Sequence, residues 1–206
     1  MRKIIKNEWH QCHIDDLWIF DKLILSKKLG YECGPKGTSV PKPDYYIIRP
    51  CVNLMGMGRG AYIQFLEEDT DDVLPEGTFW CELFKGRHLS VDFYRGKQVL
   101  CVEGYRSSDN LSKWDKWEKK REQIEFPKIV KTFKGKYDWI NIEMINDNII
   151  EVHLRNNPDF EGHNAEYIIP VYEDSISLEG HTYIEAQEYI RLGFLIPDQC
   201  SSILTL

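Results

Sequence analysis

The sequence contains no C-x-x-C pair, although it has six cysteines, at 12, 33, 51, 81, 101 and 200. That absence removes the usual spacing of zinc ribbons and thiol–disulfide motifs. The nearest approach to a ligand cluster is WHQCH, with His10, Cys12 and His13, and no second cluster of matching spacing accompanies it. Most of the other cysteines sit in apolar runs (RPCVNL, FWCELF, VLCVEG), the setting of buried thiols in a reducing compartment. No run approaches the roughly 18 apolar residues of a membrane helix. The opening MRKIIKNEWHQCH has no apolar core of a signal peptide. A cytoplasmic protein without a membrane partner is therefore expected. An excess of positive charge is also missing. The net charge is −7, which disfavours nucleic acid as a general partner, because phosphate neutralisation dominates that affinity. Internal repeats and low-complexity tracts are absent.

What is present is ordinary globular material. The 206 residues suffice for one domain or two small lobes with a core. Aromatics make up 13%, enough to line both a core and a cleft with Trp, Tyr and Phe. Residues 14–29 have Leu17, Phe20, Ile24, Leu25 and Leu29 near helical spacing, with Gly30 placed as a C-cap, so the pattern predicts one amphipathic helix. GPKGTSVPKP is a loop, and EEDTDDVLPEG an exposed turn. Strands are predicted at 45–49 (YYIIR), 61–67 (AYIQFLE), 78–84 (TFWCELF), 88–94 (HLSVDFY) and 98–104 (QVLCVEG), the last three as an antiparallel meander. A helix is predicted over 110–125, with Trp114 and Trp117 inward. The hairpin 139–145 and 149–154 turns at Asn146-Asp147-Asn148, a strand AEYIIPVY follows, and a terminal helix at 182–192 is closed by Gly193.

Three segments carry chemistry. Gly56, Gly58 and Gly60 follow a strand, so their backbone could approach a ligand and form an anion nest. The spacing is neither a Walker A loop nor a Rossmann fingerprint, and a surface turn is the alternative. Arg49, at the end of the preceding strand, could bridge phosphates bidentately, or pair with a surface carboxylate. In the hairpin, the period of two puts Glu151, His153 and Arg155 on one face, read as outward. Glu143 and Glu151 on facing strands could share Mg²⁺, which prefers oxygen ligands. A plain surface strand of alternating charge is the competing reading. Asp92 alternates onto the face of His88 and Ser90, and His88, His163 and His181 are candidate bases.

Taken in order, the helix IFDKLILSKKLG, the strand YYIIRP, the loop NLMGMGRGA, the segment FWCELFKGRHLSVDF and the stretch INIEMINDNIIEVHLRNNPDF resemble the ATP-grasp superfamily over residues 18–160. The resemblance implies an α+β, two-lobed fold with antiparallel sheets and flanking helices, residues 1–80 forming the first lobe and 81–206 the second. It implies ATP and Mg²⁺ as cofactors. Arg49 would take the place usually held by Lys, and the glycines at 56, 58 and 60 would cover the phosphates. Glu82 and Leu83 would receive adenine and ribose in the hinge, with His88 near the nucleotide. Glu143, Glu151 and His153 would hold the metal, His153 standing where the family has Asn, and Arg155 would contact the γ-phosphate or an acyl-phosphate. Only about 20 residues precede the first lobe, so the usual N-terminal substrate domain is missing from this stretch and the acceptor site would come from the lobes, the C-terminal segment or a partner.

The activity implied is a carboxylate–amine ligase working through an acyl-phosphate, with ATP and an unidentified carboxylate as partners. A nucleotide-binding regulatory protein without turnover is the alternative. An interaction protein using WHQCH and NLSKWDKWEKKR is a third reading, with a protein partner or a homo-oligomer. A phosphotransferase acting on a hydroxyl would use the same metal site.

Overall fold

The structure is a computed structural model that describes residues 8–52, 58–67, 70, 73–173 and 177–198. A short helix α1 (Glu8–Gln11) and a 3₁₀ segment (Ile14–Phe20) lead into α2 (Lys22–Leu29). The single helix predicted over 14–29 is broken at Asp21. That residue is extended, and its carboxylate accepts the Ile24 N–H at 3.0 Å, capping α2 instead of continuing a helix through it. Gly30 ends α2 in the left-handed region, as its position predicts. Ile24, read as part of the apolar stripe, is exposed, whereas Ile19, Phe20 and Leu25 are buried.

Strands β1 (Cys33–Pro35), β2 (Asp44–Pro50), β3 (Tyr62–Leu66) and β4 (Thr78–Glu82) form a four-stranded sheet in the order β1-β4-β2-β3. The larger sheet has eight strands. They are β5 (His88–Tyr94), β6 (Lys97–Tyr105), β7 (Lys116–Lys119), β8 (Trp139–Ile145), β9 (Asn148–His153), β10 (Tyr167–Val171), β11 (His181–Glu188) and β12 (Arg191–Pro197). Their order is β11-β12-β10-β7-β6-β5-β8-β9, and every pairing is antiparallel. The α+β class with antiparallel sheets and flanking helices is therefore observed.

Alternation builds the larger sheet. Val91, Phe93, Ile140, Ile142 and Val152 face Ile19, Phe20, Leu25, Val130 and Phe133, which makes the main core. The smaller sheet has its own core around Ile48, Leu66 and Trp80. Among the described residues, no helix is long and apolar enough to cross a membrane.

Two predicted helices are strands. The 110–125 segment contains β7, which lies between β6 and β10 and pairs with both. Its Lys and Glu content favours a helix, but the two neighbours supply its backbone hydrogen bonds and Trp117 packs on the sheet. Gly104, opposite Trp117, makes this possible: a Cβ there would lie 2.7 Å from Trp114 and 2.9 Å from Trp117. The 182–192 segment is the β11–β12 hairpin. Gly193 does not close a helix. It lies inside β12 beneath the Tyr183 ring.

A Cβ at Gly193 would meet the Ile184 carbonyl oxygen at 2.3 Å, and backbone has no room to yield. Gly193→Ala should therefore cost about 2 kcal/mol of stability or more, read as a lower urea midpoint. An unchanged midpoint would contradict this packing.

Candidate active site

A cleft of about 730 Å³ lies between the two sheets. The smaller sheet contributes Arg49 from β2. The larger sheet contributes Ser90, Asn141, Glu143, Glu151 and His153 on the face opposite the main core. The same period of two that buries Leu89, Val91, Ile140 and Ile142 aims these polar residues into the cleft.

Glu143 on β8 and Glu151 on β9 are register partners. Glu151 is buried, and it meets Lys22 Nζ at 3.2 Å and Arg49 Nη2 at 3.8 Å. Arg49 also donates to the Ile150 carbonyl at 2.8 Å, which ties β2 to β9. Glu143 meets His88 Nε2 at 3.3 Å. Burial alone would raise the Glu143 pKa, but His88, then His153 and Lys22, hold its carboxyl well below the usual range.

His153 is buried between carboxylates, 3.3 Å from Glu151, 3.9 Å from Glu143 and 3.4 Å from Glu8. Burial would lower its pKa, and the negative charges of Glu151 and Glu8 outweigh that and raise it. Its Nδ1 faces Glu8 without the alignment of a hydrogen bond. Arg155, just beyond β9, donates from Nε to Glu8 at 3.0 Å and lines the cleft. The hairpin face read as outward is thus a cleft wall, and Glu151 and His153 are shut from bulk solvent.

The remaining predicted residues fall in different places. Leu83 and His88 line the cleft. Glu82 does not reach it: its Oε1 accepts the Glu32 N–H at 3.0 Å. Gly58 and Gly60 have positive φ, and Gly58 lines the cleft where a Cβ would lie 2.8 Å from the Leu111 carbonyl oxygen. Gly56 lies outside the described residues. His163 and His181 bond Asp159 O and Tyr167 Oη and lie away from the cleft lining. In WHQCH, His13 caps the following 3₁₀ segment and Cys12 contacts the Tyr137 hydroxyl. The described cysteines are free thiols. Among the described residues, no three or more His, Cys, Asp or Glu side chains have the arrangement of a metal site.

Lys22 was not among the residues singled out from the sequence. Its signal is a cation at the first position of a helix, where the dipole disfavours it, so another partner must hold it there. The Asp92 network was only glimpsed. Asp92 is buried and accepts from Asn141 Nδ2 at 2.8 Å and from the Asn157 N–H at 2.9 Å. Asn141 also donates to Ser90 Oγ at 2.8 Å. This network seats the 154–159 segment, which carries Arg155 and Asp159, and Asp159 pairs with Arg191 of β12.

No family model matches the chain, and no curated protein sequence matches it either. Solved structures do. N5-carboxyaminoimidazole ribonucleotide synthetase from Thermotoga maritima aligns over 88% of this chain and 67% of its own, at 14% identity and a TM-score of 0.50. The chain has an ATP-grasp-like fold. A protein from Archaeoglobus fulgidus described as an ATP-grasp superfamily member aligns over 87% of this chain at 15% identity and a TM-score of 0.46. The ATP-grasp ligase PsnB aligns over 68% of this chain at 12% identity and a TM-score of 0.44. The chain spans 64% of the length of the former and 52% of the latter.

Burial pushes Asp92 up to about 6 from an ordinary 3.8. Between those values the folded chain binds more protons than the unfolded chain. The contribution of Asp92 to stability is therefore fullest below 3.8 and is lost as pH rises through 6. Urea unfolding at a series of pH values should show this loss in the wild type and a flatter profile in Asp92→Asn. Identical profiles would refute the buried-acid assignment.

Proposed function

We propose that the chain is an ATP-dependent ligase that activates a carboxylate as an acyl-phosphate for attack by an amine. The observation that carries this reading is the opposed pair Glu143 and Glu151 in a cleft that draws Lys22, Arg49, His88 and Arg155 from both sides. Phosphoryl transfer asks for positioning and charge stabilisation more than for covalent help, and this is a cleft rich in fixed charge of both signs.

The donor set fits Mg²⁺ in part. Two carboxylates on facing strands suit a hard cation that fills its remaining positions with water and phosphate oxygens. His153 suits it poorly. Its raised pKa favours an imidazolium, which has no free lone pair, and imidazole is in any case a poor match for Mg²⁺. Glu143 and Glu151 would therefore hold the ion, and His153 would balance their charge. When bound, the ion would neutralise phosphate charge and orient the γ-phosphoryl group.

The chain's own residues have separable tasks. Lys22 and Arg49, now on Glu151, would turn to phosphate oxygens once the carboxylate has another cation. Arg155 stands beyond β9, where charge on the transferring group would develop. Leu83 offers an apolar edge for a base between the sheets. The carboxylate substrate attacks the γ-phosphorus, the bond to ADP breaks, and the amine then displaces phosphate from the acyl carbon.

Binding without turnover is a second reading. It is supported by the protein partners that already stand on both carboxylates, Lys22 on Glu151 and His88 on Glu143, and by His153 among three carboxylates.

Thermal-shift and calorimetric titrations with ATP and Mg²⁺ test the proposal. Wild type should bind the nucleotide. Glu151→Gln and Glu143→Gln should weaken Mg²⁺-dependent binding by about tenfold or more and abolish phosphate release. Unchanged binding and hydrolysis in both variants would remove the metal assignment. Tight binding with no ADP formed over a broad panel of carboxylates would select the second reading.

A further inference from the structure

Five arginines line the cleft: Arg49, Arg87, Arg106, Arg155 and Arg191. Four are committed to the protein. Arg49 is held by Ile150 O and Glu151, Arg87 by Glu103 and Glu122, and Arg155 by Glu8. Arg191 is held by Asp159, Glu188 and Ala186 O. Arg106 differs from all of them. Among the described residues its guanidinium donates no hydrogen bond and forms no ion pair; it lies over the Trp114 ring, 5.0 Å from the centroid.

The platform beneath it is built. Asp115 clamps both neighbours of Arg106: its N–H donates to Tyr105 O at 2.8 Å, and its Oδ2 accepts the Ser107 N–H at 2.6 Å. The Trp114 N–H donates to the Tyr172 hydroxyl at 2.6 Å. The Trp114 ring packs on Trp117 at 4.6 Å and on His88 at 4.7 Å, over the space left by Gly104. Partial desolvation presses the Arg106 pKa down against the nearby Asp109, so the cation gains from an anionic partner.

We propose that Arg106, laid on Trp114, is the receptor for a carboxylate of the acceptor substrate. A planar guanidinium with its forked donors unused matches a carboxylate bidentately. Position separates this carboxylate from the one that reacts. The rings of Trp114 and His88 stand in series between Arg106 and Glu143, so two ring contacts lie between the anchor and the carboxylate proposed to hold the metal. The acceptor is then a bifunctional organic acid, with a carboxylate held at Arg106 and its reacting group directed toward Glu143. This inference deepens the ligase reading and rests on it for the word acceptor. The receptor itself is tested without nucleotide.

The experiment is phenylglyoxal labelling of the intact protein, followed by mass spectrometry of each cleft arginine, with benzoate and its neutral analogue benzamide as probes. Arg106 should label faster than Arg49, Arg155 and Arg191. Benzoate should slow that labelling by about tenfold, as a charge-assisted pair would, and benzamide should not. Arg106→Gln, an exposed change, should keep the wild-type melting temperature and lose the benzoate-induced change in tryptophan fluorescence, and Arg106→Lys should recover part of it. Slow labelling of Arg106, no protection by benzoate, or equal protection by benzamide would overturn the proposal. Full protection by ATP alone would also overturn it, by making Arg106 a phosphate contact. Failure of the ligase reading shows separately, as no thermal shift with ATP and Mg²⁺ while benzoate protection persists.

Discussion

A carboxylate in an interior is costly unless a positive group stands against it, and Glu151 is such a carboxylate. Lys22 reaches it from the first turn of α2, Arg49 from the smaller sheet, and His153 from its own strand. One charge therefore draws a helix, a strand of one sheet and a strand of the other to a single point. The Arg49 bond to Ile150 O adds a backbone tie at the same place. The two sheets are joined at this point beside the cleft.

The other polar groups of the wall are arranged around this centre. His153 spreads its charge over Glu8, Glu143 and Glu151, and Glu8 in turn receives Arg155 and the Leu154 N–H. Below them, Asp92 and Asn141 use their oxygens and amides to seat the chain that leaves β9. These networks make the wall stiff, since moving one member leaves a buried partner unsatisfied. The aromatic end is different in kind. Trp114 and Trp117 are fixed by packing and by one hydroxyl, and the guanidinium above them is left with its donors unused.

Much of this was legible in the sequence, and the reasons differ by segment. The 139–155 hairpin was readable because its apolar residues alternate cleanly and its turn is marked by Asn and Asp. The β2, β4 and β5 strands were readable as β-rich runs bounded by Pro50 and by the KGR and RGK turns. The polar face of the hairpin was found, but its direction was read as outward, because alternation separates two faces without saying what covers each. The segments at 110–125 and 182–192 were misread as helices where β7 and the β11–β12 hairpin lie. Their Lys, Glu and Ala content carries helix propensity, and the force that decided otherwise is pairing with strands distant in sequence. Lys22 escaped notice because its role depends on Glu151, far away in the chain. The glycines at 58 and 60 were located by composition, yet the contact of Gly58 with Leu111 belongs to tertiary structure alone.

The turn of the β8–β9 hairpin has one further property. Asn146 donates to Lys85 O at 2.9 Å, accepts the Arg87 N–H at 3.0 Å, and occupies the space where Gly86 would otherwise carry a side chain. Lys85, Gly86 and Arg87 belong to the stretch that passes from the smaller sheet to the larger. The crossing segment and the strand bearing Glu143 are thus gripped by one amide. The join between the two sheets at this crossing is fixed by this side chain and not left as a slack connection. A single asparagine is the clasp between the crossing segment and the hairpin.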